Sequence, residues 1–336
     1  MDEKIERSHQ QQYHLKTTMT LDDYPRIQGY DFEQGFNFDQ FLQSYATTGF
    51  QATHLAQGIE IVNAMRREKA TIFLTYTSNI ITSGLRDIIK YLVKHRKVDV
   101  LVTSAGGVEE DIIKSLKPFA LGQFNASGKL LFEHGINRTG NIFIPNDRYA
   151  VFDQFMQKFL ERIYTIQKEQ EKIFCPKDLI RELGLEINQD DSILYWAAKN
   201  NIPIFCPGIV DGSLGDLIVF FKQSHPDFLL DVSKEVLEIT KLALNCEKTG
   251  GILLGGGSSK HFALNANIFR EGFDYAVYIN TAEEYDGSDS GAKPDEAVSW
   301  GKIKPEAPAV KIHGDATIVF PLLVAGALAE TTSERQ

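Results

Sequence analysis

"TIFLTYTSNIITSGLRDIIKYLV", residues 71–93, and "VDVLVTSAGGVEEDIIKSL", residues 98–116, carry one pattern twice. Each begins with a short run rich in β-branched and aromatic residues, then turns through small or hydroxyl residues. In the first copy an amphipathic stretch follows, with Leu85, Ile88, Ile89, Leu92 and Val93 at the spacing of a single helix face. That is strand, turn, helix. In the second copy "AGG" reads as a tight loop and "EEDIIKSL" as the opening of the next helix.

Strands that alternate with helices must be joined by crossovers, so the chain is expected to be α/β, a doubly wound, mostly parallel sheet of the Rossmann-like kind. The rhythm returns in "IPIFCPGIV", "GILLGGGSSKH", "YAVYINTA" and "AVKIHGDATIVFPLLVAGALAE". Upstream, Ala52 to Arg67 has helical composition, and the aromatics of "GYDFEQGFNFDQFLQSYATTGFQ" read as packing anchors. The stretch from Phe119 to Ile202 is less regular and reads as a peripheral helical insertion. No linker or repeat divides the chain. The expected organisation is a mobile N-terminal segment, residues 1–28, followed by a single domain over residues 29–330.

The 336 residues are 43% apolar and 24% charged, the balance of a soluble globular protein. Thirty-five basic against forty-five acidic side chains leave a formal charge of -10, which argues against nonspecific nucleic-acid binding and favours cationic substrates or partners. Cys175, Cys206 and Cys246 show no metal or disulfide spacing, so no metal site is expected and the compartment is expected to be reducing. The N-terminus lacks the apolar stretch of a signal sequence, and the run Ala316 to Ala329 is too short to span a bilayer, so no membrane role and a cytoplasmic location are expected.

In an open parallel sheet ligands collect outside the carboxyl ends of the strands. The residues there are Thr77-Ser78-Asn79, Ser104 to Gly107, Asp211-Gly212-Ser213, Gly255 to Gly257, Thr281-Ala282 and Asp315-Ala316. Small residues at helix starts let main-chain N–H groups approach a phosphate, which suggests a nucleotide, although each loop alone is equally a tight turn. Asp211 and Asp315 could hold ribose hydroxyls or cap helices. Glu109, Glu110, Asp216, Asp289, Asp295 and Glu296 read singly as capping or solvated acids, and together as a pocket for an extended polycation. His261 is either an idle helix-start histidine or a base beside an amine. Lys302 is either a surface lysine or an amine desolvated against Trp300, the condition under which lysine forms Schiff bases.

Those segments, with "DGSLGD", "ILLGGGSSKHFALNAN", "YAVYINTAEEYDGSDSGAKPDEAVSWGKI" and "GDATIVFPLLVA", resemble deoxyhypusine synthase from about Gly29 to Ala329. The resemblance implies NAD-dependent transfer of the aminobutyl group of spermidine onto one lysine of the translation initiation factor 5A precursor. It makes Lys302 the imine-forming lysine and His261 the residue beside the amine being oxidised. Glu109, Glu110, Asp216, Gly287, Ser288, Asp289, Glu296, Ala297, Val298, Ser299, Trp300 and Gly301 match spermidine contacts. Ser78, Asn79, Ile80, Ile81, Thr82, Ser104, Ala105, Gly106, Glu110, Asp211, Gly256, Thr281, Ala282, Asp315 and Ala316 match NAD contacts. A homotetramer built from dimers, with active sites in the dimer interface, is implied. Ser104, Thr82 and Phe262 depart from the family's commoner threonine, serine and histidine without removing a reacting group. Two other readings use the same pocket: a homospermidine synthase, which gives the butyl group to putrescine, and a noncatalytic paralogue that activates a sister subunit.

Overall fold

The computed structural model describes residues 21–330, so the segment expected to be mobile lies mostly outside the described residues. The strands are β1 (Thr71–Thr75), β2 (Val100–Val102), β3 (Ala120–Leu121), β4 (Ile136–Thr139), β5 (Ile142–Pro145), β6 (Ile204–Phe205), β7 (Thr249–Leu254), β8 (Tyr275–Asn280) and β9 (Ala309–His313). Six of them form one sheet in the order β6-β2-β1-β7-β8-β9, with every neighbouring pair parallel. The chain steps outward from β1 through β2 to β6, returns to β7 on the other side of β1, and steps outward again. This is the doubly wound order of dinucleotide-binding folds, and its reversal lies between β1 and β7.

The strands are nearly continuous apolar runs because both faces of the sheet are covered. Side chains alternate across a strand: Ile72 and Leu74 of β1 and Ile252 and Leu254 of β7 enter one core, while Phe73 and Leu253 enter the other. The larger core is closed by helices that include Phe50–Arg67, Leu85–Lys94, Ala105–Leu116 and Ala316–Ala327, the smaller by Val232–Leu244 and Gly257–Ile268. No helix among the described residues is long and apolar enough to cross a membrane.

Two expectations need correction. From Phe119 to Ile202 only the small antiparallel sheet β3-β5-β4 and its short helix Gly128–Glu133 stand off as an insertion. The helix Asp147–Gln170 buries Phe152, Met156, Phe159, Leu160 and Ile163 in the main core, and each such side chain is worth about 1.5–3 kcal/mol. Its charged residues occupy the opposite face and mask the stripe in a linear reading. Likewise "AGG" is no loop but the first turn of the helix Ala105–Leu116. The glycines serve close packing: a Cβ on Gly106 would stand 2.5 Å from Ser78 Oγ, and one on Gly107 only 2.0 Å from Thr103 Oγ1.

Candidate active site at the carboxyl edge of the sheet

The reversal between β1 and β7 places several helix starts along one edge. After β1, Thr77 leads into the short helix Ser78–Thr82, and after β2, Ser104 leads into Ala105–Leu116. Ser104 Oγ accepts from Ser78 N–H at 3.2 Å. Ser78 Oγ–H donates to Glu110 Oε1 at 3.0 Å, and Thr82 Oγ1–H donates to Glu110 Oε2. Glu110 therefore does not cap a helix start; it is 7% exposed and bound by the neighbouring turn. Burial lifts its carboxyl to about 7, and the charge of Glu109 pushes the same way against the two hydroxyl donors.

Glu109, 8% exposed, turns to the helix Ser213–Ser224 that follows β6. That helix has no side-chain cap from Gly212, and Glu109 Oε2 instead accepts from Leu214 N–H at 2.8 Å. Gly212 leaves room for this approach, since a Cβ there would lie 2.8 Å from the same oxygen and push the Glu109 carboxylate aside. Burial raises the Glu109 carboxyl above its ordinary range, and Asp216 and Asp211 add to the rise through their charge. Both aspartates are exposed. Ile80 and Ile81 face the main core, so only their main chain can meet a ligand. Asn79 is exposed, and Ala105 is buried at the helix start. The helix Ala105–Leu116 has no side-chain cap, and its bare first turn offers N–H donors of the kind that hold a phosphate.

A second group lies beyond β7 and β8. Gly257 N–H donates to Ser290 Oγ at 3.1 Å, and Gly256 packs so closely on Ser290 that a Cβ would fall 2.3 Å from that oxygen. His261, on the helix Gly257–Ile268, has Nδ1 3.5 Å from Asp289 Oδ1 and Nε2 2.8 Å from Asn265 Nδ2. Lys302 follows the helix Pro294–Ser299 and the left-handed Gly301, φ +68°. Its N–H donates to Ala297 O at 2.9 Å and its carbonyl accepts from Phe273 N–H at 3.0 Å, which fixes the main chain on both sides. Lys302 is 8% exposed, yet among the described residues its Nζ forms no ion pair or hydrogen bond and lies 5.6 Å from the Trp300 ring centre. Of the two readings of this lysine, surface or desolvated against Trp300, the structure shows the residue largely buried while the Trp300 ring is 67% exposed.

The remaining positions are peripheral within one chain. Gly287 and Ser288 are exposed, with Ser288 N–H donating to Asp286 at 2.8 Å. Glu296 and Ser299 are exposed, Val298 is half-buried, and Ala297 is buried. Thr281 is exposed, and Ala282 N–H donates to Asn280 Oδ1. Asp315 accepts from Thr317 N–H at 2.7 Å and caps the last helix, whose first residue, Ala316, is half-buried. Asp295 is exposed. Among the described residues no hydrogen bond or ion pair joins the Ser78–Glu110–Glu109 group to the His261–Asp289–Lys302 residues.

Sequence reading overlooked Asn265, one helical turn after His261, and Lys260 just before it. Lys260 was detectable: it shares a buried stripe with Ala263, Leu264 and Asn267, at the spacing of one helix face.

The family model for deoxyhypusine synthase matches residues 40–327. The chain is 47% identical to a deoxyhypusine synthase of Caenorhabditis elegans, over 94% of this chain and 93% of that protein. It is 49% identical to a probable deoxyhypusine synthase of Methanocaldococcus jannaschii, over 89% of this chain and 95% of that one. A crystal structure of a deoxyhypusine synthase candidate from Entamoeba histolytica superposes with a TM-score of 0.66 at 33% identity, covering 91% of this chain and 98% of the other. Fold, family model and relatives agree over nearly the whole length: the chain is an enzyme of the deoxyhypusine synthase family.

Proposed function

We propose that this enzyme moves the 4-aminobutyl group of spermidine, through an imine on Lys302, onto one lysine of the translation initiation factor 5A precursor. The carrying observation is Lys302 itself, a largely buried lysine whose amine has no carboxylate partner among the described residues and lies 5.6 Å from the Trp300 ring centre. A lysine on an acidic protein ordinarily pairs with a carboxylate; one left without such a partner is available as a nucleophile once it loses its proton.

NAD is the cofactor of this reading, and when bound it supplies hydride transfer. The uncapped first turn at Ala105–Gly106, the Ser78, Thr82 and Ser104 hydroxyls and the Gly256 turn suit its phosphates and ribose, at the edge where doubly wound sheets take dinucleotides. His261 takes the proton of the secondary ammonium, so that the nitrogen lone pair becomes available. Asp289, Asp216, Glu296 and the buried glutamates hold the ammonium ends. Neutral Lys302 attacks the imine left by hydride loss and 1,3-diaminopropane leaves; Lys302 carries the four-carbon unit until the acceptor lysine displaces it by transimination, and return of the hydride removed in the first step reduces the acceptor's imine. Such an imine needs a dry cavity. Trp300, Tyr285, Phe269 and Ile318 stand exposed at 67%, 87%, 64% and 67%; their exposure supports closure of the site by a second copy, within a homotetramer built from dimers. Residues 29–330 act as one catalytic unit in the cytoplasm, a reading supported by the 40–327 span of the family model and by three unpaired thiols.

The test is transfer of labelled aminobutyl groups by the purified chain given spermidine, NAD and the precursor. Lys302→Ala is expected to abolish transfer to the protein while leaving some spermidine-dependent reduction of NAD. Normal transfer by that variant would defeat the proposal.

A further inference from the structure

Lys260 precedes His261 on the helix Gly257–Ile268 and is 1% exposed, deeper than Lys302. An ammonium so buried is costly unless its donors are satisfied. Its Nζ donates to the main-chain oxygen of Asp289 and, at 3.4 Å, to that of Ala292; it lies 4.5 Å from the Tyr278 ring centre and 4.0 Å from Asp289 Oδ2. Lys311, on β9, donates to Ala282 O at 2.7 Å and to Gly291 O at 2.6 Å. Two lysines thus hold four carbonyls of the loop that presents Gly287, Ser288 and Asp289.

The Asp289 carboxylate is shared between consecutive residues of one helix. Oδ1 faces His261 Nδ1 at 3.5 Å, while Oδ2 is buried, without a hydrogen-bond partner, on the Lys260 side. We propose that Lys260 is a positioning residue: by hydrogen-bonding the main-chain oxygen of Asp289 and facing its inner carboxylate oxygen with opposite charge at 4.0 Å, it holds the outer oxygen toward His261 and the substrate ammonium. This rests on the reading of Asp289 and His261 given under Proposed function.

A double-mutant cycle separates positioning from general support. Lys260→Met keeps the chain length without a donor, and Lys260→Gln keeps one donor. The readouts are equilibrium dialysis of labelled spermidine on the NADH-bound protein and, separately, NADH affinity. Lys260→Met is expected to weaken spermidine binding about ten- to a hundredfold, the size of a lost charged hydrogen bond. In the Asp289→Ala background the same change is expected to cost less than about threefold, with NADH affinity held within about threefold in every variant. Lys260→Gln should fall between wild type and Lys260→Met. Additive losses would overturn the proposal. So would equal losses of NADH and spermidine affinity, or failure of both Lys260 variants to bind NADH, which would make the residue a strut of the fold. A wild-type chain that cannot reduce NAD with spermidine would instead defeat the functional reading beneath it.

Discussion

Glu110→Gln removes a charge from the most enclosed carboxylate of the first group while keeping its shape and its capacity to bond the Ser78 and Thr82 hydroxyls. Folded Glu110 holds its proton up to about pH 7, whereas the unfolded chain releases it near the ordinary 4.5. Between those values the folded state binds more protons, so this group's contribution is fully present below about pH 4.5, falls as pH rises through the window, and is flat above about pH 7. At about 1.4 kcal/mol per unit, the rise amounts to an upper bound of about 3 kcal/mol. Gln cannot ionise and escapes the loss. Urea unfolding of both proteins from about pH 4.5 to pH 8 should therefore show near-equal stability at the acid end and the variant ahead by about 1–3 kcal/mol at the alkaline end. Glu235, also lifted to about 7 by burial, titrates in both proteins and cancels in the difference. A variant as stable as wild type at every pH, or weaker only at the alkaline end, would refute the claim that burial dominates at this site.

Asp111 is fully buried and binds Arg86, Ser192 Oγ and the N–H groups of Ile193 and Leu194. Asp111→Ala leaves the buried Arg86 guanidinium with only the half-exposed Asp191, at 3.5 Å, as counter-charge and strips the acceptor from Ser192, Ile193 and Leu194, so unfolding should show a loss of about 3–5 kcal/mol; a loss under about 1 kcal/mol would contradict the network's role. Gly106→Ala forces Ser78 aside and should cost about 1–3 kcal/mol together with NAD affinity measured by calorimetry. Unchanged affinity would show that the Ser78–Glu110 contact does not shape the cofactor's place. Offered putrescine and the protein precursor in competition, the enzyme is expected to label the protein; predominant labelling of putrescine would favour the homospermidine reading.

The alternating pattern made the sheet legible because β1, β2, β6 and β8 carry enough β-branched and aromatic residues to read as buried on both sides, and because helix faces such as Leu85 to Val93 keep their spacing. What stayed hidden depends on contacts between distant segments. Gly106 and Gly107 look like a turn until Ser78 and Thr103 are seen against them. Glu109 looks like a capping residue of its own helix, whereas it caps another through Leu214. The helix Asp147–Gln170 disguises its buried stripe behind a charged face. For the site, residue types at strand ends pointed to the carboxyl edge of the sheet, where the helices Ser78–Thr82, Ala105–Leu116 and Gly257–Ile268 begin. The separation into two groups within one chain, and the exposure of Trp300, follow from three-dimensional placement and leave no trace in local composition.

The account's central claim is that Lys302 carries the transferred group. Its most direct measurement is borohydride trapping of the purified enzyme with labelled spermidine and NAD, followed by peptide mass mapping. One adduct, a reduced aminobutyl group on the peptide bearing Lys302, is the expected result. Label on Lys260, or on any peptide lacking Lys302, would contradict it.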